Sequence, residues 1–302
     1  MTENLFLGIE TGGTKILAKL EGKEGIVATG RWPTTTADDA LESILDWIAA
    51  NLPAGAQLAA AGVAAFGPLI IDPMALDYGL QLATPKPGWA GSNLRSTLAA
   101  RLSVPVRVDT DVNAAARAEL VRGAETGITS LAYLTIGTGI GAGLANRDGT
   151  LSGALHPELG HLRLVRAPGD TMQSACPFHA DCAEGLAAGP ALKCRLTAGE
   201  TLETRPDLRS LTASYIAQLC AAMVLAWSPH RIVIGGGVGT APGLLAEVRT
   251  AFTAELGDYG VGPAAHAPDF LSPPAFADAG IEGALLMARD AFQPNKDKSN
   301  DR

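Results

Sequence analysis

Apolar and polar positions change period several times along the chain, and each change marks an element. Residues 5–9, LFLGI, and 15–20, KILAKL, are short β-like runs, and the ETGGT between them predicts a hairpin with a Gly-rich turn. From Thr36 onward Leu41, Ile44, Leu45, Ile48 and Leu52 form one face of an amphipathic helix, with Thr36 as its cap. Residues 59–65, AAAGVAA, predict a buried strand running into Phe66, Gly67 and Pro68. The Pro- and Gly-rich segment 84–91, TPKPGWAG, predicts a loop, after which Ser92 caps a helix to Leu102. Residues 106–108 predict a further strand, and DVNAAARAEL begins a helix just after it.

The second half starts in the same way. Residues 131–145, LAYLTIGTGIGAGLA, again read as strand, Gly/Thr turn and strand, which suggests an internal duplication. A long helix is predicted over 211–227, a strand RIVI running into Gly235, Gly236 and Gly237, and helices over 244–256 and 279–292. Residues 293–302 are polar and are expected to be disordered. Strand and helix alternate throughout, which favours an α/β class with a largely parallel sheet flanked by helices.

Composition narrows the function more than the fold. At 302 residues the chain is long enough for two domains, and 47% apolar with 18% charged residues is the balance of a soluble globular protein. A net charge of −8 with no basic run opposes binding to nucleic acid or to anionic lipid. The first ten residues show no signal pattern, and no uninterrupted apolar stretch reads as a membrane span, so a cytoplasmic location is expected. In that compartment four cysteines are metal ligands or core fillers rather than disulfides, and Cys194 and Cys220 are expected to be buried thiols.

Three features carry chemistry. Between 156 and 184, His161, Cys176, His179 and Cys182 have the spacing of a tetrahedral zinc site, against the alternative of scattered His and Cys that fell close together. Two Gly/Thr hairpin turns, with the GGG that ends a third strand, suit a polyphosphate, because glycine lets backbone N–H groups approach phosphate oxygens and Thr hydroxyls add donors. Neither turn has the P-loop spacing, and neither opens a helix as a Rossmann turn does. Asp111 falls where a strand ends and a helix begins, beside Asp109, Thr110 and Asn113. There it is either a general base for a substrate hydroxyl or a helix cap.

Taken together, GIETGGTK at 8–15, GVAAFGP at 62–68, TPKPGW at 84–89, DTDVNAAA at 109–116, TIGTGIGAG at 135–143, HPELGH at 156–161, CPFHADCAEG at 176–185 and IGGGV at 234–238 make the chain resemble the ROK family of sugar kinases, most closely its bacterial fructokinase branch. The likeness covers residues 5–291. It implies a two-domain actin-like ATPase (ribonuclease H-like) fold with a hinged cleft and a zinc-bound loop at 156–184. The first domain would take 1–115, with the helix 279–292 packing back on it, and the second 116–278.

The resemblance also implies roles. Asp111 matches the catalytic base, and Glu10, Gly12, Gly13, Thr14 and Lys15 belong to the first phosphate loop, with Glu10 standing where many relatives have Asp. Thr135, Gly137, Thr138 and Gly139 belong to the second loop, and Gly235, Gly236 and Gly237 lie against the adenosine. Gly67, Asn93, Thr110, Glu158, His161 and Glu184 are implied at the sugar, and His161 also belongs to the zinc quartet. ATP, Mg²⁺ and a structural Zn²⁺ are the implied cofactors, a hexose the implied substrate and a homodimer the implied assembly. The ion would clamp the loop that presents Glu158, His161 and Glu184 to the sugar.

Family glucokinases usually have Asn before the catalytic Asp and three cysteines in the zinc motif; Thr110 and CPFH depart from both, which favours fructose over glucose. Kinases of glucose, mannose or N-acetylated hexosamines are the nearest alternatives. A sugar-responsive transcription regulator is the remote one, since such relatives carry a helix-turn-helix ahead of the first loop, where this sequence has about seven residues. Trp89 is left to stack on sugar or to anchor its loop, and His156 to be a ligand, a supporting donor or a surface residue.

Overall fold

Three strands, β1 (Glu3–Thr11), β2 (Lys15–Gly22) and β3 (Gly25–Pro33), form an antiparallel meander, after which helix α1 (Ala37–Asn51) leads to strand β4 (Ala56–Ala65). Helix α2 (Leu94–Leu102), strand β5 (Val106–Thr110) and helix α3 (Asp111–Arg122) follow. The computed structural model describes residues 2–257, 259, 261 and 263–292; the expected tail at 293–302 lies outside them. The chain divides into two units: the described residues of Met1–Ala118, Ser152–His156 and Gly280–Arg302, and those of Glu119–Leu151 and Pro157–Ala279.

In the first unit the sheet order is β3-β2-β1-β4-β5. β1 pairs antiparallel with β2 and parallel with β4, and β4 pairs parallel with β5. The sheet is therefore mixed, not largely parallel, because the opening turn folds the chain straight back on itself and only later strands return through helices. The missed strand β3 has a reason too: its residues are half-buried or exposed throughout, including Ile26 and Val27, so no core-facing alternation marks it. Thr36 does cap α1, its side chain accepting the Asp39 N–H. The cap of α2 is Asn93 rather than Ser92, whose hydroxyl donates back to the Trp89 carbonyl at 2.7 Å.

A core of Leu7, Ile9, Ile16, Leu20, Ile44, Val63, Leu98 and Val108 fills the space between this sheet and α1 and α2. The other face is covered at very short range. A Cβ at Gly62 would lie 2.0 Å from the Ala284 carbonyl oxygen, and one at Gly283 2.0 Å from that of Ala114. Glycine at both places lets the last helix, introduced below, pack backbone against backbone.

The second unit repeats the plan. Strands β6 (Ser130–Ile136), β7 (Ile140–Asn146) and β8 (Gly149–Thr150) form the meander. Short helices α4 (Ala183–Ala187) and α5 (Gly189–Arg195) and the long α6 (Pro206–Trp227) precede strand β9 (Ile232–Gly235) and the helical turn α7 (Gly236–Gly239). Helix α8 (Leu244–Leu256) and strand β10 (Leu271–Ser272) close the unit, and α9 (Ala279–Ala291) is the last helix of the described residues. The order β10-β9-β6-β7-β8, with the same parallel and antiparallel senses, is that of the first sheet.

Helix α6, 22 residues with mean hydropathy 1.4 over its most apolar window, is long and apolar enough to cross a membrane by length and composition, although polar residues interrupt it. Its composition is that of a core helix: Tyr215, Ile216, Leu219, Cys220 and Met223 are buried among Leu134 and Ile136 of the sheet and Val248 and Phe252 of α8. Burial pushes the Cys220 thiol up to about 12. Cys194, expected inside, is exposed, because it falls in the last turn of the short α5.

Candidate active site and metal centre

In the first unit the strand register sets the rim. Thr11 is paired with Ala65, and Ala65 with Thr110, so the turn at 12–14, the turn at 66–68 and the start of α3 leave the sheet at the same level. Two strand spacings put the first turn roughly 10 Å from Asp111 along that edge. Carboxyl ends of parallel strands are where α/β sheets bind ligands.

The turn itself is closed by Gly12 N–H donating to the Lys15 carbonyl at 2.9 Å. Thr34 Oγ1 donates to the Gly12 carbonyl at 2.7 Å, and Thr34 N–H to that of Thr14 at 3.1 Å. The Lys86 ammonium donates to the Gly13 carbonyl. Neither Thr34 nor Lys86 was singled out from sequence; only the lone cation of TPKPGW could have drawn notice. Trp89, 1% exposed, anchors that loop: its Nε1–H donates to the Thr35 carbonyl at 2.7 Å and its ring meets Phe66 edge-on at 4.8 Å. It is therefore not open for stacking on a sugar.

Thr110 and Asp111 have different partners at the start of α3. Thr110 Oγ1 accepts the Asn113 N–H at 3.1 Å, the bond of a helix cap, and Thr110 is 3% exposed. Thr110, expected at the sugar, thus caps α3 with its hydroxyl. The half-buried Asp111 next to it accepts the Val112 N–H on Oδ1 at 2.9 Å and lies on the rim. Asn113, fully buried, donates to Asp109 Oδ1 at 2.8 Å and holds that second carboxylate in place. Asn93, also expected at the sugar, uses Oδ1 to cap α2 and Nδ2 to reach the Tyr78 carbonyl at 3.0 Å. Gly67 lies in the turn after β4, flanked by Phe66 and Pro68 carbonyls that Gln81 Nε2 holds at 3.0 and 3.2 Å. Glu10, near the end of β1, has its carboxylate against Gly280, where a Cβ would come within 2.8 Å of Glu10 Cδ. His156, 8% exposed, accepts the Leu69 N–H on Nε2 at 3.2 Å, so it supports the first unit rather than the metal centre.

In the second unit the equivalent edge carries Gly137, Thr138 and Gly139 between β6 and β7, and Thr135 pairs with both Gly141 and Gly235. Gly137 N–H donates to the Gly139 carbonyl at 2.9 Å, and the Gly137 carbonyl accepts from Gly189 at 2.8 Å. The three glycines from the end of β9 onward have three different causes. A Cβ at Gly235 would strike the Tyr133 hydroxyl at 2.1 Å; Gly236 has φ +81° and would strike the Ile136 carbonyl at 2.4 Å; Gly237 faces open space.

The metal quartet does converge. The ligand atoms of His161, Cys176, His179 and Cys182 all lie within 4.8 Å of one another. Cys176 Sγ is 3.8 Å from His161 Nδ1 and 3.7 Å from His179 Nδ1. Zinc bonds of about 2.0–2.3 Å at tetrahedral angles would separate S and N by roughly 3.6 Å, so the set fits that ion. Amides support both sulfurs, from Phe178 at 3.5 Å on Cys176 and Gly185 at 3.4 Å on Cys182. Burial pushes the Cys182 thiol up to about 11, so a thiolate there calls for a bound cation. With Nδ1 turned to the quartet, His161 keeps Nε2 for another partner.

Glu184 stands two residues beyond Cys182, in the first turn of α4, which Cys182 caps. Its Oε2 accepts the Ile140 N–H at 3.0 Å and fills the space a Cβ on Gly139 would need. Glu158, by contrast, is exposed. The strap 166–181 is tied by Asp170, which accepts from Arg195 at 2.8 and 2.7 Å and from the Tyr215 hydroxyl, while Arg166 donates to Asp181 at 2.6 Å. A separate 220 Å³ cavity beside Trp32, Thr35, Asp39 and Ser43 includes none of the expected site residues.

The chain is similar to known proteins over nearly its whole length. The ROK family profile matches residues 6–291. A fructokinase from Pediococcus pentosaceus is 35% identical over 288 residues, covering 94% of this chain and 98% of the relative. Among solved structures, the ROK hexokinase from Thermus thermophilus aligns with a TM-score of 0.74 at 30% identity, covering 94% of this chain and 98% of that one. A ROK family glucokinase from Streptomyces griseus in complex with glucose and AMPPNP aligns with a TM-score of 0.72 at 25% identity, covering 95% and 99%.

Proposed function

The chain belongs to the ROK family and is a hexose kinase, and from that premise we propose that it is an ATP-dependent fructokinase acting on the 6-hydroxyl of D-fructose. The observation that carries the chemistry is the common level of Thr11, Ala65 and Thr110, which puts a Gly-rich turn and the Asp111 carboxylate on one rim. Asp111 accepts the proton of the attacking hydroxyl as the oxygen approaches the γ-phosphorus, and the leaving group is ADP. Gly12, Gly13, Thr14 and Lys15 hold phosphate oxygens in the first unit; Thr135, Gly137, Thr138 and Gly139 do so in the second, with Gly235, Gly236 and Gly237 on the nucleoside side. Glu158, His161 and Glu184 take sugar hydroxyls.

Glu10, a hard oxygen donor at the first turn, is the group that would face Mg²⁺, and the ion would offset charge on the phosphates. His161, Cys176, His179 and Cys182 would hold Zn²⁺ with four protein ligands, which is a structural arrangement because no position is left for a reactive water. We place the reaction in the cytoplasm, where ATP is at hand, and the working form as a homodimer, which light scattering reads directly.

Fructose over other hexoses is supported by the fructokinase relative. The test is a panel of D-fructose, D-glucose, D-mannose and N-acetylmannosamine with ATP and Mg²⁺, following ADP release and ranking kcat/KM. Fructose should lead by about tenfold or more, roughly 1.4 kcal/mol in transition-state binding. A higher value for any other sugar moves the assignment to that sugar, and no turnover on any of them removes it.

A further inference from the structure

We propose that Lys86 is a positioning residue for nucleotide binding: with Thr34 it holds the carbonyls of the first turn so that the turn's amides face the polyphosphate. The proposal rests on the reading of this turn as an ATP site.

Three consecutive carbonyls are taken, each by a donor outside the turn. Thr34 Oγ1 holds that of Gly12 at 2.7 Å, Lys86 Nζ that of Gly13, and Thr34 N–H that of Thr14 at 3.1 Å. These peptide bonds are trans, and in a trans peptide the C=O and the N–H of the next residue point in opposite directions. Fixing the three oxygens therefore aims the N–H groups of Gly13, Thr14 and Lys15 away from Thr34 and Lys86. Successive amides presented in this way form an anion-binding concavity. A carbonyl that swung round would bring a partial negative charge to the phosphate and remove a donor at the same time. Glycine at 12 and 13 makes such a swing easy, so the turn needs outside holders.

Lys86 is itself placed firmly. Its carbonyl accepts the Trp89 N–H at 3.3 Å, its own N–H reaches Thr84 Oγ1 at 3.4 Å, and the buried Trp89 fastens the loop to Thr35, the residue after Thr34. The loop and the exit of β3 thus act on the turn together. An ammonium adds what a neutral donor would not: a positive charge behind a turn that receives a polyanion.

Calorimetric titration with MgATP, with thermal melts as the fold control, separates the outcomes. In Lys86→Met the dissociation constant for MgATP should rise about tenfold or more while Tm stays within a few degrees. Lys86→Gln, which can still donate to the Gly13 carbonyl, should fall between wild type and Met, and Lys86→Arg should recover to within about threefold of wild type. MgATP binding in Lys86→Met within about twofold of wild type overturns the proposal, as does a loss that Lys86→Arg does not recover. Absence of MgATP binding in the wild-type protein is a different result, and it removes the kinase reading itself.

Discussion

Glu184 Oε2 accepts the backbone N–H of Ile140 at 3.0 Å, across 44 residues of chain. Because Cys182 caps the helix that begins at Ala183, a bonded path runs from the metal quartet through Cys182 and Glu184 to the turn at Gly139. The sequence reading gave the ion one task, to shape a sugar-binding loop. This path would add a second task, to brace the turn proposed to hold phosphate.

Metal removal should consequently weaken ATP binding as well as sugar binding. After dialysis against a chelator, with metal loss verified by elemental analysis, the dissociation constant for MgATP should rise several-fold and return on adding Zn²⁺. Glu184→Ala should produce the same loss with the metal in place, because the Ile140 N–H loses its partner at a cost of about 1–3 kcal/mol. Unchanged MgATP affinity in both experiments would break the path.

Asp111 and Thr110 should separate cleanly. Thr110 makes the cap bond to Asn113, so Asp111→Asn should keep the fold and Tm while turnover falls by about 10²- to 10⁴-fold. Thr110→Val should do the reverse, losing about 1 kcal/mol of stability through the cap, with a smaller effect on turnover. Melting curves and kcat on the two variants decide it; normal turnover in Asp111→Asn would take Asp111 out of the chemistry.

What was legible in the sequence is what local pattern encodes. Both hairpins, the Thr36 cap, the helix starting at Asp111 and the metal quartet all follow from residues near one another in the chain. Strand β3 was missed because an exposed edge lacks a buried face, and Asn93 was passed over for Ser92 because either residue type caps a helix. Contacts across long separations left no trace: Lys86 on Gly13, Glu184 on Ile140, Tyr133 against Gly235. Tertiary packing decides these, and no short motif records it.

The glycines from the end of β9 onward make that last point testable. Gly235→Ala should destabilise the protein by roughly 1–3 kcal/mol, because its Cβ would meet the buried Tyr133 hydroxyl at 2.1 Å. Gly237→Ala meets nothing within 4 Å, so its Tm should stay near that of wild type. If the open space over Gly237 receives the nucleoside, this variant should nonetheless bind MgATP more weakly. Tm and MgATP affinity measured together check both halves, and a Gly237→Ala protein with wild-type affinity would move the adenosine elsewhere.

Acid should unlock the strap that carries Cys176 and His179 of the quartet. Two Arg195 bonds at 2.8 and 2.7 Å, aided by the Tyr215 hydroxyl and the Met172 N–H, hold the Asp170 carboxyl well below the usual carboxylate range, against the opposing effect of burial. Unfolded, the same carboxyl titrates near 3.9. The folded value is the lower one, so the stabilisation is complete above about pH 4 and is lost as pH falls further, when the unfolded chain takes up a proton that the folded chain resists. The side chains of Arg195 and Asp170 are only 8% and 5% exposed, so solvent offers little screening. Asp170→Asn should leave Arg195 buried with a neutral partner and cost about 3 kcal/mol or more at pH 7. Between pH 4 and pH 2 its melting temperature should fall less steeply than that of wild type, since one proton-linked group is gone. Parallel slopes for the two proteins over that range would show that Asp170 does not carry the acid sensitivity.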